Sequence, residues 1–248
     1  MSAVQKDAMN DAQPLLQVKN LEAFYGPVMA LRGVSIDVFE GKVVAILGAN
    51  GAGKTTLMKT ISGALAPRKG SITLAGEAIE GREPDALVRQ GIAHVPEGRE
   101  VFPFLTVEEN LAMGAYIRRD KAGIRQDMEM VYDYFPILLE RRNQPAGTLS
   151  GGQQQMVAIG RALMSNPDLI MFDEISLGLA PVIIRDIYKA LPGIVGGGMS
   201  AVIVEQDITK ALAVSSRVYC LQEGRVSLEG RSDTVSRDEI ARAYFGVE

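Results

Sequence analysis

Gly48-Ala49-Asn50-Gly51-Ala52-Gly53-Lys54-Thr55-Thr56 follows the pattern Gly-x-x-x-x-Gly-Lys-Ser/Thr. The apolar, β-branched run Val43-Val44-Ala45-Ile46-Leu47 leads into it, and Thr55 to Ala64 leads out as a helix. Strand, glycine-rich turn and helix in that order make a phosphate-binding loop. Gly48, Gly51 and Gly53 leave the backbone free to curl, so that its N–H groups, with those of Asn50 and Ala52, converge on a phosphate at a helix N-terminus. Lys54 then reaches the outer phosphates as a point charge. The Thr55 hydroxyl, with Thr56 behind it, takes a place on Mg²⁺. Nucleotide binding is the expected function of this stretch.

Around that loop the chain has 248 residues, 47% of them hydrophobic and 23% charged. That is ordinary for one large domain, or one domain with an inserted lobe, around a real core. The net charge is −4 and no Lys/Arg-rich run occurs, so no nucleic-acid partner is indicated. One cysteine, Cys220, excludes an internal disulfide; within Val218-Tyr219-Cys220-Leu221 it reads as a buried, inert thiol. The N-terminal stretch, residues 1–13, is polar and reads as a flexible tail rather than a secretory signal. No apolar run approaches the ~18 residues that span a bilayer. A cytosolic protein is expected, with any membrane role carried by partner chains.

Short strands are expected at Leu15 to Val18, Val34 to Phe39 and Ser71 to Leu74. Coming so early, they predict a small antiparallel sheet beside a parallel α/β core. Between the first two, Phe24-Tyr25-Gly26 offers an aromatic that could stack on a base or simply pack. Residues 84–92 read as a helix, then Ile92 to Val95 as a strand, followed by the polar loop Pro96-Glu97-Gly98-Arg99-Glu100. The single histidine, His94, lies in that strand and reads as a core or edge residue, which argues against a histidine metal site or a Ser-His-Asp triad. Thr106 and Glu109 form a capping box, and a helical pattern follows to about Arg142, an inserted helical lobe.

Two further stretches carry chemistry. In Ser150-Gly151-Gly152-Gln153 the capping-box partners enclose two glycines in the first helical turn, where glycine is a poor helix former. A helix N-terminus stripped of side chains suits a phosphate. Leu169 to Phe172 is an apolar strand ending in Asp173 and Glu174. Asp173 there can hold Mg²⁺ through water, and Glu174 can polarise the water that attacks a γ-phosphate. Beyond it lie a helix after Pro181, a buried strand at Ala201 to Val204 ending in Glu205-Gln206-Asp207, a hairpin (Val218 to Leu221 with Arg225 to Leu228) and a short helix from Asp238 to Phe245.

Together these stretches resemble the ATP-binding cassette (ABC) ATPases, from Leu15 to Phe245. The matching pieces are the loop from Gly48 to Thr56, the signature Leu149-Ser150-Gly151-Gly152-Gln153, and the strand ending in Asp173-Glu174. The resemblance implies a P-loop core with a small antiparallel β-subdomain and a helical subdomain at about residues 91–160. It implies a dimer in which ATP lies between the phosphate loop of one chain and Ser150 to Gln153 of the other, with Tyr25 stacked on adenine. Gly151 and Gly152 would then admit the second chain's γ-phosphate.

Departures from the family pattern are informative. Glu97 stands where most cassettes have a glutamine; it can still coordinate Mg²⁺ but donates no amide hydrogen bond. Gln206 stands where most have a histidine; it can hydrogen-bond a γ-phosphate but does not titrate near neutral pH. Ala180 replaces a usual aspartate, and Ile175 a usual proline. Val95 to Arg99, Thr106 to Leu111, Ser176 to Pro181 and Val204 to Gln206 look like the smaller ATPase subunit of branched-chain amino acid importers. That likeness implies a bacterial inner-membrane importer. Its parts are permease subunits, a second ATPase subunit or a second copy of this chain, and a periplasmic binding protein. The chain would sit on the cytoplasmic face, with Phe102, Phe104 and Leu105 bordering a groove for the permease. Importers of urea, amides or aromatic acids share this machinery and stay open as alternatives. So do a weakly hydrolysing regulatory subunit and a soluble cassette ATPase acting on ribosomes or DNA.

Overall fold

The computed structural model describes residues 13–245. The tail expected over residues 1–13 lies, up to residue 12, outside the described residues. In chain order the elements are β1 (Leu16–Tyr25), β2 (Val28–Val38), β3 (Val43–Leu47), α1 (Lys54–Ile61), β4 (Lys69–Leu74), β5 (Glu77–Ala78), α2 (Pro84–Arg89) and β6 (Ile92–Val95). Then come α3 (Val107–Gly114), α4 (Lys121–Tyr134), α5 (Pro136–Glu140), a 3₁₀ turn (Ala146–Thr148), α6 (Gly151–Leu163), β7 (Leu169–Asp173) and α7 (Pro181–Val195). The chain closes with β8 (Ser200–Glu205), α8 (Ile208–Val214), β9 (Arg217–Gln222), β10 (Arg225–Arg231) and α9 (Arg237–Phe245).

Two sheets form, as the early strands predict. One is antiparallel, in the order β2-β1-β4-β5; the other has the order β10-β9-β3-β8-β7-β6, parallel except for β10. β1 and β2 run further than the alternation predicts, and the reason is visible in their burial. Leu16 and Val18 face the core, then the phase slips by one residue so that Leu21 and Ala23 face it. A bulge carries the slip, with Asn20 at φ 48 and a register shift after Val18. An extra residue in one strand reverses which side chains point inward.

The strands of the large sheet are apolar on both faces because both faces are covered. Val44, Ile46, Met171 and Val204 pack against Leu57, Met58 and Ile61 of α1 and against the antiparallel sheet. On the opposite face Ile170, Phe172, Ala201 and Ile203 meet α6 and α7, while Ala45, Leu47, Val218 and Cys220 meet α8 and α9. Cys220 is fully buried, and burial pushes its thiol up to about 11, as an inert thiol should behave.

The helical lobe differs from its expected outline. Residues 92–95 pair with β7 in the large sheet, so the expected bound at residue 91 falls before a core strand. The helical run read to Arg142 is three helices. α3 ends at Gly114, whose Cβ would fall on the Arg161 carbonyl oxygen of α6, and Pro136 forces a restart after Phe135. Buried Asn110 ties the preceding loop down: its amide donates to the carbonyls of Phe102, Leu105 and Thr106 and its Oδ1 accepts from the Phe102 N–H. Helix α8, unread in the sequence, is capped by Asp207, which accepts from the N–H groups of Thr209 and Lys210.

Candidate functional site

The phosphate loop is held between β3 and α1 by close backbone contacts. Gly48 has φ 155, and a Cβ there would lie 2.4 Å from the Leu221 carbonyl oxygen. Gly53, the residue before α1, is left-handed at φ 105 and offers no side chain to cap the helix. The first-turn N–H groups of α1 are therefore left for a ligand, where the helix dipole favours an anion.

A cavity of about 400 Å³ opens over this helix end. Asn50, Gly51, Gly53, Lys54, Thr55 and Thr56 line it, and Glu97, Glu174 and Gln206 come to it from the ends of three strands. The Lys54 ammonium is buried, donating to the carbonyls of Gly48 (2.8 Å) and Ala49 (3.1 Å) and lying 3.2 Å from Glu174. Glu174 sits one residue past β7 in a left-handed conformation, φ 49, unusual for a residue with a side chain. Its Oε2 accepts from the Gln206 amide at 2.7 Å, and the same amide donates to Asn50 at 3.1 Å. Asn50, Glu174 and Gln206 thus form one network, which motif spacing alone does not reveal.

Asp173 is 1% exposed, and neither carboxylate oxygen has a hydrogen-bond partner. The Thr55 hydroxyl lies close enough to favour its charged form, but short of hydrogen-bond geometry. Burial raises its pKa, the charges of Glu174 and Glu97 add to that, and Thr55 and Lys54 oppose it. An orphaned buried carboxylate beside a hydroxyl and a second carboxylate is an oxygen donor set that fits Mg²⁺. Among the described residues no group of three or more His, Cys, Asp or Glu side chains is placed to hold a metal ion.

Other expected residues stand apart. Tyr25 is 47% exposed at the tip of the β1–β2 hairpin and does not line the cavity. Ser150 to Gln153 open α6 away from it, with the capping box formed: Gln153 N–H donates to Ser150 Oγ and Ser150 N–H to Gln153 Oε1. Gly152 has a reason within the chain, since a Cβ there would strike Ile183 of α7, whereas one on Gly151 would meet only the movable Arg99 guanidinium. Ala52 is buried beneath the loop, and Ala30 and Leu177 line the cavity without having been singled out from sequence.

A larger cavity of about 660 Å³ lies between the helical lobe and the sheet, lined by His94, Glu100, Phe102, Met113, Tyr116 and Arg161 among others. Arg161 stacks on Phe102 and donates to the Glu100 carbonyl. Burial, helped by the charge of Lys59, lowers the pKa of His94 to about 4. The unfolded chain, near 6.5, therefore takes up the proton first as pH falls. His94 thus contributes stability that is present above pH ~6.5 and lost as pH falls through ~4. Wild type is expected to lose about 2 kcal/mol more than His94→Gln between pH 7 and pH 5. Denaturant midpoints at the two pH values measure it, and parallel losses would show that His94 is not the group responsible.

Fold and site define a P-loop nucleoside triphosphatase. Comparison with known proteins narrows this: the family model described as ABC transporter matches residues 31–176. The chain is 43% identical, over 94% of its length and all of the relative's, to the high-affinity branched-chain amino acid transport ATP-binding protein BraG of Pseudomonas aeruginosa. It superposes on the ADP conformation of an ATP-binding cassette of an ABC transporter with a TM-score of 0.80, at 30% identity over 93% of this chain and 94% of that one. A dimeric post-hydrolysis cassette bound to ADP and Pi gives a TM-score of 0.76, at 27% identity over 88% and 98%. The chain belongs to the ABC transporter family, and is an ATP-binding, ATP-hydrolysing member of it.

Proposed function

We propose that this chain energises the import of branched-chain amino acids. The observation that carries this reading is its 43% identity with BraG over 94% of the chain. In this reading the Walker-type loop, Gly48 to Thr56, cradles the phosphates of ATP, and Lys54 reaches the β- and γ-phosphates as a point charge. Thr55, Asp173 and Glu97 would hold Mg²⁺, which would supply positive charge to offset the negative charge of the phosphates. Glu174 polarises the attacking water and takes up its proton, while Gln206 orients Glu174 and hydrogen-bonds the γ-phosphate. Ser150, Gly151, Gly152 and Gln153 act on the ATP of a second cassette, either another ATPase subunit or a second copy. The dimeric relative supports that arrangement, as does the absence of these residues from the lining of their own chain's cavity. Tyr25, exposed at the tip of the β1–β2 hairpin, stacks on the adenine.

No helix among the described residues is long and apolar enough to cross a membrane. The chain is held on the cytoplasmic face of the bacterial inner membrane by permease subunits. A permease segment seats in the 660 Å³ groove, near the exposed rings of Phe102, Phe104 and Tyr116. A periplasmic binding protein supplies the solute on the far side. A tagged Glu174→Gln chain, captured with ATP from detergent-solubilised membranes, should bring down permeases and a cassette partner, identified by mass spectrometry. Loss of the gene should abolish uptake of labelled leucine, isoleucine and valine. Capture of ribosomal or DNA-repair proteins without any membrane chain would defeat the transport reading. Unimpaired leucine uptake, with another solute lost, would move it to that solute.

A further inference from the structure

The last residue of β8, Glu205, is 2% exposed, and none of the roles proposed above uses it. It directly precedes Gln206. Its Oε2 accepts from the Ser176 hydroxyl at 2.8 Å and its Oε1 from the Tyr188 hydroxyl at 2.6 Å. Ser176 lies two residues after Glu174, in the loop between β7 and α7, and Tyr188 lies within α7. The strand that carries Glu205 is itself fixed on both sides, with Glu205 opposite Leu47 of β3 and Val204 opposite Asp173 of β7. One carboxylate therefore joins three segments: the strand end that leads to Gln206, the loop that leaves Glu174, and the following helix.

Burying an ionised carboxylate is costly unless its oxygens are hydrogen-bonded, and an apolar residue would close this end of the sheet at lower cost. Two hydroxyl donors, one on each oxygen, meet the requirement. They also fix where the chain runs immediately after Glu174, whose backbone has already left the strand conformation at φ 49. We infer that Glu205 is a positioning residue for ATP hydrolysis: by anchoring Ser176 and Tyr188 to the end of β8, it sets the distance between Glu174 and Gln206. The inference rests on the proposal that those two residues act in hydrolysis. A displacement of even an ångström at a reacting group lowers turnover severely while leaving binding little changed.

Two variants test this by removing one donor each while leaving Glu205 itself in place. Ser176→Ala and Tyr188→Phe each remove one donor with little change of volume. In the assembled transporter each is expected to lower kcat roughly tenfold with the KM for ATP changed less than about twofold. Ser176→Thr, which keeps the hydroxyl, should restore the rate. In a Gln206→Ala background Ser176→Ala should add no further loss, because residues acting as a unit are not additive. A raised KM with unchanged kcat, or a loss that multiplies with Gln206→Ala, would overturn the inference. Full activity of both variants beside an inactive Glu174→Gln would overturn it alone. Normal turnover by Glu174→Gln would overturn the catalytic reading and this inference with it.

Discussion

Glutamine in place of Glu174 is expected to lower ATP turnover by about 10²- to 10³-fold while ATP still binds. The substitution preserves volume and removes only the charge and the basic oxygen pair. In the wild type that carboxylate lies 3.2 Å from the Lys54 ammonium and accepts the Gln206 amide at 2.7 Å, so its direction is set from two sides. A glutamine amide can occupy the same place but cannot take a proton from water. Lys54 loses its ion pair with Glu174 but keeps the carbonyls of Gly48 and Ala49, and the phosphate loop and α1 N-terminus are unchanged, so affinity should stay within a few-fold. Phosphate release by the assembled transporter and a direct ATP titration give the two quantities. Turnover near the wild-type rate would remove Glu174 from the role of base.

Truncating Lys54 acts on the other quantity. Lys54→Ala is expected to weaken ATP binding about 100-fold, near 2.7 kcal/mol, within the range of one or two charge-assisted hydrogen bonds. The ammonium is already aimed along the loop by the carbonyls of Gly48 and Ala49. Its loss also strips Glu174, only 9% exposed, of its counter-charge. An unpaired buried carboxylate is unfavourable, so hydrolysis at saturating ATP should fall as well. Calorimetric titration with ATP checks the first effect; unchanged affinity would place Lys54 outside the phosphate contacts.

How far the sequence could be read follows from how local each signal is. The phosphate loop is legible because strand, glycines, lysine and helix are contiguous, and Asp173-Glu174 because an apolar strand ends on them. Thr106 and Ser150 announce their helices through partners three residues away, and both capping boxes form. Legibility fails where the deciding contact is distant. The bulge at Asn20 hides half of β1 by reversing its phase, and the break before α5 depends on the restriction that Pro136 imposes on Phe135. Gly152 looks like a ligand residue from its position at a helix start, yet its nearest constraint is Ile183, on a helix some thirty residues further along the chain. Glu205 gives no sign in sequence of its partners Ser176 and Tyr188. The Asn50–Glu174–Gln206 network joins three loops that only the sheet order brings together.

The position of β3 has a consequence for how the molecule is made. Its neighbours in the sheet are β8 and β9, so the strand that launches the phosphate loop stays unpaired until residues 200–205 exist and lacks its second neighbour until residues beyond 217 do. During translation the nucleotide-binding loop leaves the ribosome early, but its supporting strands come out almost last. The antiparallel sheet, by contrast, is complete by residue 78 and depends on local pairing. Contacts this distant in sequence are slow to close. Nucleotide binding should therefore appear late in synthesis, once the nascent chain is nearly whole, and a ribosome stalled shortly after β7 should carry a chain that cannot yet bind ATP.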